Sequence, residues 1–442
     1  MAGRGLSDSV DLVVEGLAYV NGRFTEAAIA VLDGEIVSVS KPSLAPRSYS
    51  RRRYWGKVLL LPGMVDIHVH MREPGLEYKE DWYTGSLSAL RGGVTAVFDM
   101  PNNRPPTNSR ERLLEKARIA DQKSLVDFGL YAGVPRELSE LEKLRDLALG
   151  VKLYPEDLGD VYELASTCAN LGLPLIVHPE DPSKFRQARG PRHDLARPPE
   201  AEVAAVHRLL ELARRIRGLK VHFTHVSLGS SISLIVSRRL DGLRVTFDCA
   251  IHHALLDSRL YETSLARVAK VNPPLRSSND RRAVYNAIKS GTVDAVITDH
   301  APHALEEKNS QDWESVPPGF PGLEIALPLL LTEIVEGRMG VNVLELYSSR
   351  SASLYGVAKG ALAPGYDADV VVVEYGVDYR VSGLRLASKA KYTPFEGWRL
   401  RARVVGAFLR GVEVLAEGEP LVGGGYGRFV RRFESGVRGV EA

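Results

Sequence analysis

Hydrophobic and polar residues change rhythm twice along the chain, and the changes divide it into three stretches. From residue 10 to about residue 61 the apolar positions come in short extended runs. Leu12-Val13-Val14 and Ala28-Ile29-Ala30-Val31-Leu32 read as strands, Asp33-Gly34 as a hairpin turn and Ile36-Val37-Ser38-Val39 as the return strand. From residue 64 short apolar runs alternate with amphipathic ones. The spacing predicts strands at 65–70, 95–100, 127–132, 150–154, 173–178, 220–226, 244–250 and 294–299. Helices are predicted over 110–121, 138–147, 200–217 and 231–240, where apolar residues recur every three or four positions. Eight strands with helices between them predict an α/β fold, a (β/α)8 TIM-type barrel over residues 61–357. An open doubly wound sheet would carry a Gly-rich dinucleotide fingerprint after a strand, and none occurs. After about residue 356 the texture returns to β, at 368–373 and 402–408, with turns at Ala363-Pro364-Gly365 and Arg410-Gly411. The outer stretches, residues 1–60 and 358–442, are expected to pair into one small β-sandwich module beside the barrel. Polar, Pro-rich loops are expected at 180–199 and 301–321.

Composition narrows the partners. The 442 residues are 44% hydrophobic and 25% charged, and the net charge of +2 gives no reason to expect nucleic acid or an anionic membrane. The runs Arg51-Arg52-Arg53 and Arg431-Arg432 read as solvated surface. Two cysteines, Cys168 and Cys249, make neither a disulfide framework nor a CxxC metal site. Residues 1–11 lack a signal-peptide pattern, and no apolar stretch reaches the roughly 18 residues of a membrane span. A cytoplasmic location is the expectation.

Candidate chemistry gathers at strand ends. His68 and His70 are two apart on the first barrel strand, a spacing that sends both side chains to one face. His178, His225 and Asp299 close later strands. In a barrel these ends meet at one point, and imidazoles with a carboxylate suit zinc or a similar metal. His222 is three residues from His225, so only one of the two can face the site, and His225 is nearer the strand end. His252 and His253 are read as structural, and His193 and His207 as non-ligands. Lys152, inside the apolar run Gly150-Val151-Lys152-Leu153-Tyr154, is either an edge residue or a desolvated, neutral amine able to add CO2.

The run Leu61-Pro62-Gly63-Met64-Val65-Asp66 through His68-Val69-His70-Met71-Arg72-Glu73-Pro74-Gly75 resembles the dihydroorotases, cyclic amidases of the amidohydrolase superfamily. The resemblance continues at 92–103, 271–276, 298–303, 318–324 and 360–370, so it spans nearly the whole chain. It implies two divalent metal ions, Zn2+ first among them. His68, His70 and Asp299 would hold one, His178 and His225 the other, and a CO2-derived carbamate on Lys152 would bridge them. Arg72 and Asn102 match residues that grip a substrate carboxylate, with His70 beside them. Asn272 and His303 match further substrate contacts, and Pro318 with Gly319 a loop whose backbone touches the pyrimidine ring. The reaction implied is the reversible cyclisation of N-carbamoyl-L-aspartate to (S)-dihydroorotate in pyrimidine (UMP) biosynthesis. A metal-activated hydroxide is its nucleophile, and Asp299 shuttles the proton.

Three departures stand out. Cys249-Ala250-Ile251-His252-His253 lacks a proline that relatives carry before the paired histidines, 348–352 lacks Asn-Pro-Ala, and Pro318 replaces a common phenylalanine. Other cyclic amidases (dihydropyrimidinase, hydantoinase, allantoinase) stay open, as does a catalytically silent scaffold for aspartate transcarbamoylase. A homodimer and an association with that transcarbamoylase are the macromolecular partners left open. The stretch 305–316 reads either as a lid or as a surface insertion.

Overall fold

Asn21 and Gly22 both have positive φ, 49° and 77°, the backbone that a two-residue hairpin turn demands. They join β1 (Ser9–Val20) to β2 (Arg23–Leu32), and Asp33-Gly34 turns the chain again into β3 (Glu35–Ser40). The structure, a computed structural model, describes residues 9–187 and 190–431, so most of residues 1–11 and Arg432 lie outside the described residues. The sequence pattern did not foresee β4 (Arg47–Pro62), because its first half is polar. It runs parallel to β1, with a register shift at Gly16. A Cβ on Gly16 would lie 2.6 Å from the Tyr54 carbonyl, so glycine is what lets the strands stay together there. The basic run in β4 is more than solvated surface. Arg51 and Arg53, two apart on one face, clamp the buried Glu15 of β1, while Arg52 turns to Glu413.

The barrel staves follow: β5 (Met64–Val69), β6 (Val94–Asp99), β7 (Asp127–Leu130), β8 (Ala132–Gly133), β9 (Val151–Leu153), β10 (Leu175–Val177), β11 (Val221–Phe223), β12 (Val245–Ala250) and β13 (Ala295–Ile297). All pairings are parallel, in one sheet β5-β6-β7 and another running β8 to β13. β7 and β8 are two parts of one stave, broken at Tyr131, whose hydroxyl donates to the Ile67 carbonyl at 2.9 Å. The ring closes where Val69 bridges His300 and the His70 amide donates to the His300 carbonyl at 2.7 Å. Every residue of β5, β6, β9 and β10 is buried, the signature of parallel strands covered on both faces. Ile67, Phe98, Tyr131, Ile176, Ala250 and Ile297 pack together in one cluster.

β14 (Val370–Arg380), β15 (Arg399–Leu409), β16 (Val412–Ala416) and β17 (Glu419–Pro420) then return to the first sheet, with β14 antiparallel to β4. The order is β17-β16-β15-β14-β4-β1-β2-β3, a β-sandwich module built from both ends of the chain. Leu12, Val14, Ile29, Val370, Val372 and Phe408 form its own core, while Leu61, Val371 and Val373 join the barrel core. Among the described residues no helix is long and apolar enough to cross a membrane.

Glu324, in the first turn of the helix Leu323–Val335, accepts the Ala387 amide at 2.7 Å, and burial raises its carboxyl to about 7. A folded pKa above the unfolded one gives stability that is present below the unfolded value and lost as pH rises through about 7. Glu324→Gln keeps the acceptor and removes the charge. It should raise Tm above pH 7, by about 1–3 kcal/mol of stability, and the gain should vanish by about pH 5. Superimposable curves of Tm against pH for the two proteins would refute this.

Candidate active site

A cleft of about 410 Å³ opens at the C-terminal ends of the barrel strands. His68, His70, Arg72, Asn102, Lys152, His178, His225, Asn272, Asp299, His303, Pro318 and Gly319 all line it, so every residue singled out from the sequence comes to one place.

The two histidines of β5 reach it by a different route from simple alternation. β5 shifts register against β6 between Asp66 and Val69, and His70 lies beyond the strand's last residue. His68 Nε2 and His70 Nε2 approach the same oxygen, Asp299 Oδ1, at 3.4 and 3.2 Å. The His68 ring lies 5.1 Å from that of His225, which in turn lies 4.4 Å from that of His178. The opposite nitrogens are fixed from behind. His68 Nδ1 meets the Thr224 hydroxyl at 2.5 Å, His70 Nδ1 meets Asn102 Oδ1 at 2.8 Å, and His178 Nε2 meets Glu180 Oε2 at 2.6 Å. Such partners hold each ring in one tautomer, with a lone pair directed into the cleft. Burial, with neighbouring cations, lowers the pKa of all four histidines, so the rings are neutral and able to ligate. Burial also raises the Asp299 carboxyl to about 7, against the pull of Lys152 and His178. His225 and Asp299 both sit at positive φ, 42° and 49°, a strained backbone for branched side chains and one that clusters at functional sites.

Lys152, on β9, is fully buried, and its Nζ has no hydrogen-bond partner. Burial lowers the amine to about 7. An orphaned amine beside ligand atoms of His68, His70 and Asp299 that lie within 4.8 Å of one another fits a site for divalent metal.

Arg72 lines the same cleft. It follows a turn at φ 66° rather than the strand, and this turn directs the buried guanidinium to the cleft. Its Nε donates to the Pro302 carbonyl at 2.9 Å and Nη2 lies 3.0 Å from His303 Nε2, which leaves further donors for a ligand. His303 also meets the Pro318 carbonyl and Lys79 Nζ, each at 3.0 Å, and burial with these cations lowers its pKa. Asn102, having met His70 through its oxygen, keeps its amide nitrogen for the cleft it lines.

Sequence reasoning passed over several supports. Glu180 is buried and binds His178, Arg197 and Arg276 together. Its signal was a carboxylate two residues after a strand-end histidine. Arg197, Tyr154, Glu156 and Phe185 line the cleft as well. His222 is a satisfied core histidine, held by Thr246 at 2.8 Å and Asp248 at 2.7 Å. His252 and His253 are buried against each other outside the cleft lining, with His253 bonded to the Pro273 carbonyl at 3.0 Å. His193 meets Asn272 at 2.7 Å. No residue of the stretch 305–316 lines the cleft; its flanks, His303 and Pro318, do.

The chain is 36% identical to a dihydroorotase of Methanothermobacter thermautotrophicus, over 93% of this chain and 95% of that one. It is 32% identical to an allantoinase of Streptomyces avermitilis, over 93% and 96%. Its structure is similar to that of an L-hydantoinase (dihydropyrimidinase) from Arthrobacter aurescens, with a TM-score of 0.88 at 28% identity, covering 96% of this chain and 100% of that one. Those proteins carry enzyme names for cyclic amides. Residues 59–414 match the amidohydrolase family, and the chain belongs to that family as a hydrolase of cyclic amides.

Proposed function

We propose that the chain is a dihydroorotase, interconverting dihydroorotate and N-carbamoyl-L-aspartate in pyrimidine biosynthesis. The observation that carries this reading is Arg72, a buried guanidinium that lines the same cleft as the histidines and Asp299. A neutral ring offers such a cation only carbonyl oxygens, whereas a ring carboxylate brings an opposite charge and accepts two parallel N–H bonds from it. The cofactors proposed are two divalent ions, Zn2+ first, which His68, His70, Asp299, His178, His225 and a carbamate on Lys152 would hold. Bound there, such ions polarise the amide carbonyl and lower the pKa of a water. The protein's own groups do the rest. Arg72, Asn102 and His303 hold the carboxylate and fix the ring's orientation. Asp299 takes a proton from the attacking water and delivers it to the ring nitrogen as the C–N bond breaks. In the other direction it returns that proton to the hydroxyl that leaves.

The allantoinase relative and the L-hydantoinase structure support a second reading, a cyclic amidase of neutral rings. Steady-state hydrolysis of dihydroorotate, dihydrouracil, hydantoin and allantoin, side by side, decides between them. Dihydroorotate should be turned over at least about tenfold more efficiently than the others; turnover of neutral rings alone would reject the dihydroorotase reading. On dihydroorotate, Arg72→Met should raise KM about 30- to 100-fold, the loss of a charge-assisted pair of bonds worth about 2–3 kcal/mol.

A further inference from the structure

His193 was set aside as a histidine without context, yet it is buried and bonded to a residue of the cleft. It opens the short helix His193–Ala196 in the loop that follows β10. Its Nε2 lies 2.7 Å from Oδ1 of Asn272. Its ring stands edge-on to two aromatic rings, Tyr261 and Trp313, each 6.4 Å away. Both of those are tethered in turn. The Tyr261 hydroxyl accepts the Leu275 amide at 2.9 Å, and Lys270 donates to the Trp313 carbonyl at 2.8 Å while lying 4.8 Å from the centre of its indole. The imidazole is therefore wedged in place between Tyr261 and Trp313, and its hydrogen bond to the cleft is the one to Asn272.

We propose that His193 is a positioning residue that sets the polarity of the Asn272 subsite. A side-chain amide offers an acceptor on one side and a donor on the other, and a 180° flip exchanges them. An Nε2–H donating to Oδ1 holds that oxygen against His193 and turns the amide nitrogen of Asn272 toward the cleft. The subsite then donates, and it selects a ring carbonyl oxygen over a ring N–H. Burial keeps the imidazole neutral, lowering its pKa to about 4, so this role is constant through the neutral range. The inference rests on the cyclic-amide reading, since it is the carbonyls of a cyclic ureide that would meet Asn272.

The test is a split between KM and kcat with a rescue. His193→Phe keeps a ring against Tyr261 and Trp313 but cannot donate; His193→Gln keeps an N–H near the place of Nε2. Wild-type enzyme is first run on the four cyclic amides, and the variants are compared on whichever it turns over, so failure of the dihydroorotase reading leaves this measurement intact. His193→Phe should raise KM about tenfold with kcat within about threefold of wild type, and His193→Gln should recover most of that loss. Bound metal per chain and Tm should be unchanged in both. An unchanged KM in His193→Phe overturns the proposal, and so does a loss that His193→Gln fails to recover, which would mark His193 as packing alone.

Discussion

Asp299→Ala is expected to lower kcat by about 10³-fold or more while the protein remains folded. The carboxylate stands just past the end of β13, where Oδ1 is within 3.4 Å of two imidazole nitrogens, so on the proposed reading one side chain would serve both the ligand set and the proton path. No other carboxylate among the described residues shares that place in the cleft lining; Glu156 lines the cleft too, but it follows β9, beyond Tyr154. Removing the carboxylate should not unfold the barrel. Burial already opposes its charge, raising its pKa to about 7, so its loss removes an unfavourable desolvation as well as two contacts. Asp299→Asn separates the roles: it keeps one ligating oxygen and cannot accept the proton. Both variants should show a wild-type circular dichroism spectrum and a Tm within a few degrees, measured beside turnover of dihydroorotate. Turnover near the wild-type rate in Asp299→Asn would remove the proton-transfer role, and in Asp299→Ala any role at all.

How far the molecule was legible in its sequence depends on how local each cause is. The barrel staves were legible because both faces of a parallel strand are buried and leave short apolar runs, such as Ala96-Val97-Phe98 in β6. Their ends were not: the run at 150–154 keeps only Val151–Leu153 in the ladder, and 127–132 breaks at Tyr131. Those limits are set by hydrogen bonds to other staves, which nothing in the run itself records. β4 escaped because its polar half is held by Glu15 of another strand.

The cleft shows the same division. Histidines at the ends of apolar runs stand out, since an imidazole there needs a reason. The positive φ at Arg72, His225 and Asp299 does not stand out, because even His and Asp, which enter the left-handed region more readily than most residues, do so only at a small minority of their positions. Arg72 reaches the cleft through that turn rather than through strand alternation. The supports Thr224, Glu180 and His193 are ordinary polar residues whose partners lie far off in sequence, apart from the near pair His178 and Glu180. The resemblance to known cyclic amidases pointed to residues that line the cleft, and left the layer behind them to the structure.

Lys152→Met should cost a comparable factor, about 10³-fold in kcat, and it should also strip metal from the protein. A lysine with no exposed surface and no hydrogen-bond partner for Nζ, which has only the Tyr154 ring 5.4 Å away, is an expense to the fold unless something else uses the amine. Met fills nearly the same volume without the polar atom, so Tm measured without added metal should hold or rise. The amine, lowered to about 7 by burial, is largely neutral above that pH and can add CO2, forming an N–C bond and releasing one proton to leave a carbamate anion. That anion would sit among neutral imidazoles, where a divalent metal needs negative charge. Elemental analysis should therefore find metal reduced in Lys152→Met relative to wild type purified in the same way. Lys152→Ala leaves a cavity, and a short carboxylate such as acetate or propionate should restore part of its activity by standing in for the carbamate; added methylamine, which carries no carboxylate, should restore none. Full metal content and turnover in Lys152→Met would show that the lysine carries neither the carbamate nor the metals, and that the imidazoles and Asp299 suffice.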